Sequence, residues 1–129
     1  MGIKRNITVA LAVAMIYAAA MVSCSKGGNS FTTTVSFSKE VVPIFTNYCL
    51  TGSNCHASGN SVNRNVVLDS ANAYNTLIAK GLISVSNPAS SLLYVEVAGG
   101  EMPKPPAAAL STAQQTLILN WIKQGAQNN

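Results

Sequence analysis

Tyr48-Cys49-Leu50-Thr51-Gly52-Ser53-Asn54-Cys55-His56 is the stretch on which the reading of this chain turns. Two thiols and an imidazole lie close together, with the histidine directly after the second cysteine. A covalent haem site needs two thiols that reach the vinyl groups of one porphyrin. It also needs an imidazole next to the second thiol, so that the tethered iron falls on the ring. The usual spacing is C-x-x-C-H, whereas here it is C-x5-C-H. Gly52 and Ser53 would let the three extra residues loop outward while the sulfurs keep their separation. The same residues fit a plain Cys49–Cys55 disulfide in an exported domain, with His56 an exposed histidine of no special role. Zinc fits less well, because the motif offers three ligands and nothing else after Cys24 supplies a good fourth.

A second observation bears on the choice. After Cys24, His56 is the only histidine and Met102 the only methionine. A lone methionine is expected as flexible core filling on a helix. Met102 instead lies in Gly99-Gly100-Glu101-Met102-Pro103-Lys104-Pro105-Pro106, a stiff proline loop that suits a positioned thioether. His/Met axial ligation raises haem potential and supports electron transfer. With both axial positions filled, no site is left for a substrate, so a carrier is expected and not an enzyme. The bland reading of Met102 is a loop residue packed on Trp121.

The chain has 129 residues, enough for one domain once an export segment is set aside. Residues 1–23 read as that segment: Lys4 and Arg5, then an apolar run from Ile7 to Ala20, then Met21-Val22-Ser23. Ser23-Cys24 fits a bacterial lipobox, with Met21 where leucine is usual. That pattern implies cleavage before Cys24 and its acylation, and several acyl chains together hold a protein at a membrane. The other readings are an uncleaved anchor and ordinary cleavage. All three place the domain in an oxidising, extracytoplasmic compartment, on the periplasmic or cell-surface side. Residues 24–35 read as a flexible tether, and 36–129 as the domain.

Charge excludes one class of partner. From Cys24 onward six basic residues face four acidic ones, a net of +2 with no basic run and no basic–aromatic interleaving. Nucleic-acid binding leaves no footprint in such a pattern. The weak charge also implies encounters with partners that are little steered by electrostatics.

Patterning predicts an all-α domain of about four short helices. Ser38 to Cys49 carries apolar residues near a helical period, with Pro43 predicting a start near Val41 or a kink. Ser70 to Ala79 forms a second stripe, with Gly81 as its stop. Pro88 behind an Asn87 cap would lead into Ser91 to Val97, ended by Gly99-Gly100. The clearest helix starts at a Ser111 cap, buries Leu117, Ile118, Trp121 and Ile122, and ends at Gly125. Val62 to Leu68 and Ile83 to Val85 are weak strand candidates.

Taken together, these pieces resemble the cytochrome c-like domains of bacterial lipoproteins and planctomycete-type cytochromes. The matching residues are Val42-Pro43-Ile44-Phe45 before Tyr48-Cys49 and Cys55-His56, then Leu68-Asp69 before Tyr74 and Leu77. Asn87-Pro88 with Ser90, Ser91, Leu92 and Tyr94 follows, then Met102-Pro103. Last comes Leu110-Ser111 leading to Trp121-Ile122 and Gly125-Ala126. The resemblance implies a helical bundle around one covalently attached haem c. It implies thioether bonds from Cys49 and Cys55, His56 as proximal ligand and Met102 as distal ligand. It further implies that the first and last helices cross, so that Val41, Phe45 and Tyr48 meet Leu117, Trp121 and Ile122. Its partners would be redox proteins or a membrane electron-transfer complex. The chain departs from the family in its widened cysteine spacing, and no proline soon after His56 is in place to offer its carbonyl to the ring N–H.

Overall fold

Residues 33–51 and 55–129 are described by a computed structural model. The expected export segment, the Cys24 acylation site and the Gly52-Ser53 turn lie outside the described residues. The described residues are all-α, with four helices and no strand, so neither Val62–Leu68 nor Ile83–Val85 forms one.

Helix α1 occupies residues 37–49 and runs through Pro43 without a break. It does so by opening its turns: Phe37–Val41 and Phe45–Cys49 are π-helical, on either side of a short α-helical piece, Val42–Ile44. Proline lacks an N–H and its ring crowds the carbonyl four residues back. A wide turn relieves that crowding, and the Val42 N–H reaches back to the Phe37 carbonyl instead. Pro43 faces solvent. Ser36 caps the start, accepting from the Lys39 N–H, while Glu40 accepts from the Ser36 N–H at 2.7 Å.

Helix α2 is Ala73–Ala79 and helix α4 is Thr112–Lys123. They end the same way. Gly81 takes φ +63°, and the Leu82 N–H returns to the Leu77 carbonyl at 3.0 Å. Gly125 takes φ +99°, and the Ala126 N–H returns to the Trp121 carbonyl at 3.0 Å. Both are six-to-one closures around a left-handed residue, which glycine adopts at least cost. At its other end α4 has a full capping box, Ser111 and Gln114 each accepting from the other's backbone.

Helix α3 is Leu92–Ala98. Pro88 does not begin it, contrary to the expectation from sequence. Pro88–Ser90 is a separate 3-10 turn, and the Asn87 side chain caps nothing. The reason is Ser91. Its hydroxyl is buried and bonded to the Ser84 backbone, accepting from the N–H at 2.9 Å and donating to the carbonyl at 3.3 Å. That holds Ser91 extended, at ψ 127°, and the helix can only begin after it.

The core joins the two ends of the domain. The ring of Phe37, on α1, lies 4.8 Å from that of Trp121, on α4, with Tyr74 of α2 at 5.4 Å and Phe45 at 6.3 Å. Val41, Phe45, Leu77, Ile118, Trp121 and Ile122 are fully buried in one cluster, with Tyr48 and Leu117 packed at its edge. Trp121 is core, as its pattern predicts, and its indole N–H donates to the Gln127 carbonyl at 2.9 Å. Hydrogen bonds reinforce the junction: Asn129 accepts from the N–H groups of Phe37 and Ser38, and Gln124 accepts from that of Val35. Thr33 and Val35, at the end of the expected tether, are thereby bonded to Gln124 and Asn129, which follow α4.

Candidate functional site

The cysteine–histidine loop is built at the end of α1. Cys49 is the last residue of that helix, and its carbonyl accepts from the His56 N–H at 3.2 Å. The carbonyl of His56 in turn accepts from the Leu68 N–H at 2.8 Å. The histidine backbone is thus held from both sides.

The ring is held as well. Nδ1 of His56 lies 2.8 Å from the Val66 carbonyl. A carbonyl can only accept, so Nδ1 carries the proton. In the neutral ring the lone pair is then on Nε2, the nitrogen available to a metal. Val66 is where the sequence offers no proline. The chain reaches it through a turn at Ser61–Asn63, capped by Asn60, followed by two left-handed residues, Arg64 and Asn65. Val66 through Leu68 then pass His56 without forming a strand: the Val66 carbonyl meets the ring, the Leu68 N–H donates to the His56 carbonyl, and the Val66 N–H donates to the Asn63 carbonyl.

Cys49 and Cys55 are both half-buried thiols, and no disulfide joins them. They are near enough to interact. Burial, and after it the neighbouring Cys55 sulfur, pushes the Cys49 thiol up to about 11. At neutral pH it stays protonated and makes a poor nucleophile.

Behind the loop, Asp69 ties it to the start of α2. It accepts hydrogen bonds from the Ser58 hydroxyl and from the backbone and side chain of Asn72. These bonds, Ser58's first, hold the Asp69 carboxyl below its ordinary range, against the opposing effect of burial.

Met102 comes from the far end of α3. Gly100, at φ +76°, turns the chain out of the helix, and the Met102 N–H closes on the Glu96 carbonyl at 3.0 Å. Met102 is half-buried, and the following Pro103 is buried. The structure thus brings Cys49, Cys55 and His56 together, while the backbone contact that places Met102 is with α3. Among the described residues no group of three or more His, Cys, Asp or Glu side chains could hold a metal ion, so zinc finds no cage there. Nor is any described helix long and apolar enough to cross a membrane.

Two features of the donor set are compatible with haem c: an imidazole whose Nδ1 is bonded to a backbone carbonyl, which leaves Nε2 for a metal, and two cysteines that no disulfide joins. Sequence reasoning missed the Val66 carbonyl and Asn63, which shapes the turn before it. The only signal for either was the run of turn-forming residues between His56 and Val66. Comparisons with protein families, with curated proteins and with solved structures find no match to this chain.

Proposed function

We propose that this chain is a monohaem c-type cytochrome, a single-electron carrier exported and lipid-anchored through Cys24. The observation that carries the reading is the His56 ring, bonded through Nδ1 to Val66 O beside two thiols. Bonding of this kind orients a metal-binding imidazole and raises its basicity. Cys49 and Cys55 would take the thioether bonds, with His56 Nε2 and the Met102 sulfur as axial ligands. When bound, haem c supplies a one-electron iron couple. The protein's own part is to fix both ligands, exclude water and present an edge to redox partners or a membrane complex.

The test is a haem peroxidase stain of the denatured chain, after export from cells that have haem-attachment machinery. Staining of the denatured band, with the visible spectrum of a low-spin reduced haem, is the expected result. A colourless chain with a Cys49–Cys55 disulfide would overturn the reading in favour of a haem-free binding module. Met102→Ala should lower the reduction potential and let carbon monoxide bind the reduced protein rapidly. An unchanged spectrum in that variant would remove Met102 from the ligand set.

A further inference from the structure

Asn63 is one of two buried polar side chains among the described residues, at 6% exposure; Ser91 is the other. A buried amide must satisfy its donors and acceptors inside the protein. Asn63 does so in a revealing pattern. Its Nδ2 donates to the carbonyl of Ala57, the residue directly after His56, at 2.9 Å. Its Oδ1 accepts from the Asn65 N–H at 2.7 Å. Its own carbonyl accepts from the Val66 N–H at 2.8 Å. One residue therefore joins the backbone leaving His56 to the backbone that presents the Val66 carbonyl to the His56 ring.

We infer that Asn63 is the positioning residue for His56: by bracing residues 57, 65 and 66 it aims the Val66 carbonyl at Nδ1 and so sets which ring nitrogen keeps its proton. The hairpin of chain between 57 and 66 holds two non-glycine residues in the left-handed region, Arg64 at φ 51° and Asn65 at φ 62°. Such a conformation costs free energy and persists only where its surroundings hold it. The Asn63 amide supplies that support. What the Nε2 lone pair binds rests on the haem reading; the assignment of Asn63 to the Nδ1 proton does not.

The experiment labels histidine with nitrogen-15 in the full chain, purified as cells export it, and measures solvent exchange of the His56 Nδ1 proton. Asn63→Asp, Asn63→Ala and Ser91→Ala are compared with the parent. Asn63→Asp is isosteric but loses the donor to Ala57 and sets a carboxylate against that carbonyl. In the parent the Nδ1 proton should be present and slow to exchange. Exchange should speed up at least tenfold in both Asn63 variants and stay at the parental rate in Ser91→Ala. If haem is attached, the reduction potential should also rise in the Asn63 variants, because a weaker Nδ1 bond leaves a less basic ligand. If Asn63→Ala does not fold, Asn63→Asp decides. An unprotonated Nδ1 in the parent, unchanged exchange in Asn63→Asp, or equal acceleration in Ser91→Ala would each overturn the inference. A colourless chain with a slow, Asn63-dependent Nδ1 proton would defeat the haem reading alone.

Discussion

At the scale of single residues, the site is a set of protonation states imposed by neighbours. Cys49 is the sharpest case. With its thiol pushed up to about 11, only roughly one molecule in a thousand carries the thiolate at pH 8. In chain made without haem attachment, alkylation of Cys49 should be slow at pH 8 and rise about tenfold per pH unit towards 11. Peptide mass spectrometry after timed iodoacetamide treatment reads this directly, and rapid labelling at pH 8 would show that the thiol is not sequestered. Folding linkage has the same sign: the folded state holds this proton more tightly, so stability is lost as pH rises from about 9 to about 11. Asp69 works in the opposite sense. Its folded carboxyl is held below 3.8, so its contribution is complete above that pH and fades as pH falls below it. Asp69→Asn should flatten the fall in urea midpoint between pH 5 and pH 2.5, and an unchanged fall would remove Asp69 as its source. The cysteines and the histidine were legible in the sequence because adjacency along the chain carries their chemistry. The carbonyl of Val66 was not, because an acceptor on the backbone leaves no trace in residue identity.

At the scale of elements, the ends of helices were more legible than their starts. Gly81 and Gly125 stop α2 and α4 where their patterns predict, since a left-handed closing residue favours glycine strongly. Ser111 was equally plain, and its capping box follows from Gln114 three residues on. Ser111→Ala should cost about 1 kcal/mol in chemical denaturation, with the slope of the transition unchanged, whereas a loss near zero would mean the first turn is held by tertiary contacts alone. Proline was harder to interpret. Pro88 has a backbone angle suited to an α-helix and to a 3-10 turn alike, and the choice fell to the buried hydroxyl of Ser91, a contact made across seven residues. Pro43 predicts a late start or a kink, and α1 instead widens around it. Propensity identifies the conflict in such cases, and packing selects its resolution.

At the scale of the whole domain, the aromatic contact between Phe37 and Trp121 ties the first helix to the last. That these two elements would meet was implied by the resemblance and not by either apolar stripe alone, and Ala73, Leu77, Leu93 and Val97 of the two middle helices complete the same core. Trp121, 1% exposed, should be the most costly single truncation: Trp121→Ala is expected to lose about 3–5 kcal/mol, seen as a large drop in the thermal midpoint. A loss below about 1 kcal/mol would show that the two helices are held by other means. Much of a domain this small rests on few contacts. The hydrogen bonds from Asn129 and Gln124 to residues 35–38 strengthen the same seam.

The double grip on the His56 main chain has one more consequence. Because the Cys49 carbonyl and the Leu68 amide locate that residue from outside the intervening segment, the number of residues separating the two sulfurs becomes an adjustable spacer. Nature could lengthen or trim it, and an engineer could splice in a peptide there, without displacing the imidazole. Pattern searches that demand a fixed gap between paired cysteines would pass over every chain built on this plan.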